Sequence, residues 1–327
     1  MSTGFKTATV ASADVPATQT NFPVYIDLSR LGITTQADAD SVRVYADSGK
    51  TTEWAREIVG ATEMHVKVPS LTSTTAIYVY WDGTSADYAV TDTYGRNAVW
   101  SDYEGVFHLN AIGNAVNSTG VTNLLATNSP TLATGKIGNG IEYNGSNQEH
   151  GSSISGATSA VPCTVQAWAS SDTMSGAQSI AYFGASGSAG EQGILFLENK
   201  AWALTQNSSG NTNAEGISAL SISTMYLIHG VFTTNADRRV FVNGVQDALS
   251  TVSRIPTAGS IGVIASRNQA PTQRLDGIAD EVRFRGSALS ANWITTEYNN
   301  QSDEAGFWGT WSDVGGATNT TNFFLMM

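Results

Sequence analysis

The feature that most constrains this chain is alternation. Val24, Ile26 and Leu28 alternate with Tyr25 and Asp27, Val42 and Val44 flank Arg43, and Met64, Val66 and Val68 alternate with His65 and Lys67. A period of two sends successive side chains to opposite faces of a strand, so each segment has one buried face and one wet face. The run Ala76-Ile77-Tyr78-Val79-Tyr80-Trp81 is apolar on both faces and stops at Asp82-Gly83, a turn signal. It is expected mid-sheet or at a domain contact. The second half repeats the style, with strands expected at Gly140–Tyr143, Cys163–Ala169, Ser179–Phe183, Gly193–Leu197, Ala201–Gln206, Met225–Thr233, Arg239–Val242, Ser260–Ala265 and Gly277–Phe284. Asn243-Gly244 predicts a type I′ hairpin, because both central residues need positive φ. Asn207-Ser208-Ser209-Gly210-Asn211 reads as a loop. Ser290 can cap one short helix that docks through Trp293, Ile294 and Tyr298.

The expectation is an all-β chain of two antiparallel β-sandwiches with one short C-terminal helix. A boundary near Gly95–Tyr103 gives a first unit over 1–102, a second over 103–301 and a tail over 302–327. The tail holds Phe307, Trp308 and Trp311, then a polar stretch, then Phe323-Phe324-Leu325-Met326-Met327. Two readings stand for it: packing on its own chain, or docking to a neighbouring subunit.

Composition excludes several classes. Charged residues make up 13% of the 327, against about 25% in an ordinary soluble protein, while 41% are hydrophobic. Disorder does not fit that balance. The net charge of −12, with no basic run, argues against nucleic acid as a partner. Stretches of membrane-spanning length are absent, and the N-terminus lacks the apolar core of a secretory signal. The lone Cys163 permits no intrachain disulfide and reads as a small buried side chain.

From about Val106 to Gln301 the chain resembles the laminin G-like, or concanavalin A-like, jelly-roll family. The resemblance rests on Gly135–Ser146, on Thr164-Val165-Gln166-Ala167-Trp168, on Tyr226–Phe232 followed by Arg239–Gly244, and on Leu275–Phe284 with Ala288-Leu289-Ser290. One departure is that the family's frequent His falls on Leu227, while His229 takes a usually small position. Residues from Phe5 to about Tyr103 resemble a module of unassigned function that often precedes such domains in bacterial and phage surface proteins. That match uses Asn21–Leu28, Ser41–Tyr45, Val66–Leu71, Ile77–Gly83 and Asn97–Trp100.

Catalytic constellations are not legible. Jelly-roll glycosidases need two carboxylates on one face. Glu142, Glu198 and Glu281 stand singly beside apolar residues and read as solvated strand positions. The histidines His65, His108, His150 and His229 sit in no hydrolase or zinc motif, and His65 alternates outward. The resemblance implies a structural Ca²⁺ at Asp280, although Asp280 could instead pair with Arg283 or Arg285. A second calcium position of the family falls on Glu191-Gln192 and Asn268-Gln269, where Arg267 argues against it. For glycan, Trp202 with Asn199 and Tyr182 with Gln192 are the candidate ligand-binding residues, with core packing as the competing reading.

The expected function is therefore non-catalytic. The favoured expectation is a structural or adhesion protein of a phage particle (tail, fibre or capsid decoration). It would be made in the host cytoplasm, contact other virion proteins in many copies or as a homo-oligomer, and present a lectin-like domain to cell-surface glycan without inserting in a membrane. The alternatives are a carbohydrate-binding accessory of a polysaccharide-degrading system, also at a bacterial cell surface, and a structural virion protein with no ligand.

Overall fold

The computed structural model describes residues 3–11, 13–185, 190–267 and 273–315. The first unit packs a five-stranded sheet on a three-stranded one, both antiparallel. The larger sheet runs in the order Ser312–Asp313, Gly4–Thr9, Ala76–Trp81, Arg43–Tyr45, Glu53–Trp54. The doubly apolar run Ala76–Trp81 is mid-sheet, as its composition requires. The smaller sheet orders Gln19–Asp27, Glu63–Leu71 and Arg56–Val59. Phe22, Val24, Ile26, Met64, Val66 and Val68 point from it onto Ile77 and Val79, all fully buried.

The second unit is a jelly roll of two antiparallel sheets. One orders Thr131–Thr134, Asn139–Asn144, Asp276–Arg285, Cys163–Ala169, Tyr226–Thr234, Asp237–Val242 and Val245–Ser250, with Gly105–Phe107 also pairing Asp276–Arg285. The other orders Gly210–Glu215, Lys200–Asn207, Gly190–Leu197, Gln178–Gly184, Ile261–Ile264, Glu149–Ser153 and Leu125–Thr127. Phe107, Val165, Ala167, Phe183, Ile194, Phe196, Phe232 and Phe284 fill the space between them. Asn243 and Gly244 take φ of 49° and 84°, the hairpin geometry that sequence predicts.

Expectation and structure part at polar edges. The stretch 207–211 is a two-residue turn, not a loop, because Asn207 closes one strand and Gly210 opens the next. Gly210–Glu215, Glu149–Ser153 and Val245–Ser250 are strands without apolar alternation, held by ladder hydrogen bonds at or near sheet edges.

The two units share an interface built on the outer face of the eight-stranded sheet. The helix Ala291–Ser302, capped by Ser290 Oγ accepting from Trp293 N, contacts both sides. Gln301 Oε1 accepts from Trp168 Nε1 at 2.6 Å, and the Asn300 amide both donates to and accepts from the Tyr25 backbone. Trp293 meets Phe22 at 4.7 Å between ring centroids. Phe307 and Trp308 are buried in the first unit's core, and Ser312–Asp313 extends its sheet. So the tail as far as Gly315 packs on its own chain. The apolar end, Phe323 to Met327, lies outside the described residues.

Candidate functional site

The eight-stranded sheet spends its outer face on the first unit and the helix. The seven-stranded sheet turns its outer face away from both. Tyr182, Leu195 and Leu204 form a small cluster there, separate from the main core, with Leu197 and Trp202 packed against it. The Tyr182 ring lies over Gly193, where an added β-carbon would come within 2.4 Å of it. Glycine at 193 is thus a close-approach requirement, not a turn requirement.

Beside this cluster a groove of about 320 Å³ runs over Gly151, Ser153, Ile261 and Val263, walled by Glu149, Arg267 and Arg274. Gly151 makes its floor, because a side chain there would project beside Val263. Arg274 Nη1 donates to Glu149 at 2.8 Å, and Arg267 Nε donates to Glu191 at 3.0 Å while its guanidinium sits 5.2 Å from the Tyr182 ring centroid. Ser153 and Ser260 hydroxyls meet at 2.8 Å. An apolar strip bordered by planar and hydroxyl polar groups suits a sugar ring, whose faces are apolar and whose rim is hydroxylated.

The sequence candidates divide across this sheet. Trp202 is half-buried on the outer face, and Asn199 is exposed in the hairpin turn just before its strand. Tyr182 is on the same face but only 1% exposed, so it supports the surface instead of offering a platform. Gln192 is excluded from the face: register pairs it with core-facing Phe183. Its amide donates to Ser159 O at 2.7 Å, and its Oε1 accepts from the Cys163 thiol at 3.2 Å. Burial pushes that thiol up, in keeping with a structural cysteine. Arg267 holds Glu191, while Asn268 and Gln269 lie outside the described residues. Sequence reading missed Glu149, Gly151, Arg267 and Arg274 as a set, because their strand lacks apolar alternation and the arginines reach it from another segment.

A second constellation lies at the interface of the units. Glu63 and His65 come from the first unit's strand Glu63–Leu71; His108 follows Gly105–Phe107, and Glu281 sits on Asp276–Arg285. His65 Nε2 is 2.9 Å from Glu63, and His108 Nδ1 is 2.5 Å from Glu281 and 3.6 Å from Glu63. His108 Nε2 meets Glu57 at 3.0 Å, and Glu57 also accepts from Ser118 Oγ and the Trp100 indole. Arg283 donates to Glu281 and, at 2.7 Å, to Glu297, which also meets His229. Burial opposes charge on His108, but the carboxylates of Glu281 and Glu57 win and raise it well above an ordinary histidine. Burial lowers His65. Burial would raise Glu281, yet His108 and Arg283 hold it low. For Glu63 and Asp280 burial dominates and Glu281 adds to it, so both are raised.

This overturns three sequence expectations. His65 and Glu281 are both fully buried, not solvated, because the face they share with solvent in an isolated unit is covered by the other unit. Scattered histidines do converge with carboxylates on one point. Asp280 pairs with neither Arg283 nor Arg285; its Oδ2 accepts from the backbone N–H of Lys136 and Ile137 at 2.8 and 2.9 Å.

Among known folds, the chain is similar to domain 4 of AbnA, a GH43 extracellular arabinanase from Geobacillus stearothermophilus, in complex with arabinotriose. That match has 16% identity, covers 59% of this chain and 97% of that one, and has a TM-score of 0.49. It is also similar to the receptor binding domain of botulinum neurotoxin C/D mosaic serotype, with 10% identity, 62% and 52% coverage and a TM-score of 0.49. A third is a Trypanosoma rangeli sialidase in complex with 2,3-difluorosialic acid, with 12% identity, 62% and 33% coverage and a TM-score of 0.44. The chain thus spans about half or less of the last two. No curated protein sequence matches it. The family model described as the concanavalin A-like lectin/glucanases superfamily matches residues 144–295, so the second unit of this chain carries a laminin G-like, concanavalin A-like domain.

Proposed function

We propose that this chain is a non-catalytic glycan-binding protein whose ligand lies on the outer face of the seven-stranded sheet. One observation carries the reading. The jelly roll commits its other outer face to the first unit, and the face it keeps holds a groove with an apolar strip, hydroxyls and two arginines, with Trp202 further along the same sheet. Glu149 in the groove wall, and Glu191 next to the wall residue Arg267, are each engaged by an arginine. That supports binding over hydrolysis, which needs one carboxyl to give a proton and another to attack or activate water. A glycan array followed by calorimetry on the best binder tests it. Trp202→Ala and Arg274→Ala are expected to weaken binding at least tenfold. A wild-type chain silent on the array overturns the reading. So does reducing-end release that Glu149→Gln abolishes.

The first unit and the segment through Ser312–Asp313 serve in this reading as the mount on a larger assembly, a phage particle being the favoured one. Val245, Leu249, Val252 and Ile255 remain exposed along and after the edge strand Val245–Ser250, which supports pairing with a second copy in a multi-copy arrangement. Proteomics of purified particles, with copy number, decides the location.

A further inference from the structure

We propose that Glu63, His65, His108 and Glu281 form a metal centre that clips the two units together, with a zinc-type divalent ion as the occupant. One nitrogen or oxygen from each of the four lies within 4.8 Å of all the others. Ligands bound at about 2.0–2.1 Å in a tetrahedron stand roughly 3.3 Å apart. The nitrogen-to-oxygen separations are 2.5 Å for His108 to Glu281 Oε1, and 2.9 and 3.6 Å for His65 and His108 to Glu63 Oε1, which bracket that value.

The donor set selects the ion. Two imidazoles beside two carboxylates suit zinc and its transition-metal neighbours; calcium and magnesium prefer all-oxygen cages. The surroundings of His108 match those of a bound histidine. His108 gives one nitrogen to the cluster and the other to Glu57, the carboxylate–histidine arrangement that orients a metal ligand. Glu57 is in turn fixed by Ser118 Oγ at 2.6 Å. Glu281 has its second oxygen on Arg283.

Charge points the same way. Glu57, Glu63, Asp280, Glu281 and Glu297 are all buried, and the permanent cation Arg283 pairs with Glu281 and Glu297 alone among them. Burying that many carboxylates is costly unless further positive charge neutralises them. A pocket of about 210 Å³, lined by Glu57, Gly60, Arg96, His108 and Asn114, opens beside the cluster and touches one of its four ligands, His108. Two ligands come from each unit, so binding closes a long chain loop and joins the units.

The test uses the full-length chain, stripped with chelator and dialysed. Zn²⁺ titration is expected to show about one tight equivalent, and Co²⁺ to give the visible absorption of a four-coordinate site. Added Zn²⁺ should raise the Tm and chelator should reverse the rise. Glu57→Gln, which touches no ion directly, is expected to weaken Zn²⁺ binding by about 10- to 100-fold. Glu63→Gln with His65→Gln should abolish the tight equivalent. A wild-type chain that takes up no stoichiometric Zn²⁺, Co²⁺ or Mn²⁺ overturns the proposal, whatever the variants do. Tight binding that survives the double substitution in a folded variant also overturns it, since the ion then sits elsewhere.

Discussion

His65 of the first unit and His108 of the second lie with ring centroids 4.7 Å apart and planes 21° from parallel. Each belongs to a different sandwich, so their contact exists only when the units are docked. The same interface carries Trp293 against Phe22, Phe307 and Trp308 in the first unit's core, and Asn300 on the Tyr25 backbone. The units are therefore expected to unfold together.

Trp308→Ala tests this coupling. The side chain is 1% exposed and its indole donates to Tyr25 O at 3.1 Å. The loss is expected to be about 3–5 kcal/mol. Urea unfolding followed by fluorescence and by far-UV circular dichroism should give one coincident transition in both wild type and variant. Two separated transitions in the wild type would show independent units.

Arg283→Ala removes the cation between Glu281 and Glu297. Leaving buried carboxylates unpaired should cost about 3–5 kcal/mol. Arg283→Lys is expected to recover little, because a point ammonium cannot serve both carboxylates as the planar fork does. Chemical denaturation of the three proteins checks the order.

Two glycines on the proposed glycan face should respond oppositely. Gly151→Val adds carbons into the groove, and its β-carbon meets nothing nearer than 3.7 Å, so the fold should persist while glycan binding falls. Gly193→Ala drives a methyl onto the Tyr182 ring, so stability should fall by about 1–3 kcal/mol. Calorimetric binding and thermal unfolding on both variants separate the effects.

His150 provides a pH test away from the interface. It is 1% exposed, with Nδ1 2.7 Å from the Tyr143 hydroxyl and Nε2 2.8 Å from Gly113 O. Burial lowers its pKa, so the unfolded chain takes up its proton first as pH falls. Its contribution is present above about pH 6.5, the unfolded value, and is lost as pH drops through the lower folded value. The stability difference between wild type and His150→Gln should shrink from pH 7.5 to pH 5; a difference that grows would contradict the assignment.

Much of the architecture is legible in the residues themselves. Alternation in Val24–Leu28 and Met64–Val68 assigns those strands and the side each turns to its own core. Asn243-Gly244 announces its hairpin, and Ser290 its helix, because each is a local backbone requirement met by a local side chain. What alternation leaves open is the fate of the opposite face. His65 and Glu281 occupy positions that read as wet, since period two distinguishes the two faces of a strand but says nothing of what covers the second. Docking of one sandwich on the other, through Trp293, Phe307 and Trp308, turns those positions into a buried charged cluster. The same docking leaves the seven-stranded sheet as the face open to a ligand. Periodicity is a property of a single strand and can be read from it. Burial of an outer face depends on contacts between residues hundreds of positions apart, and only the tertiary structure decides it.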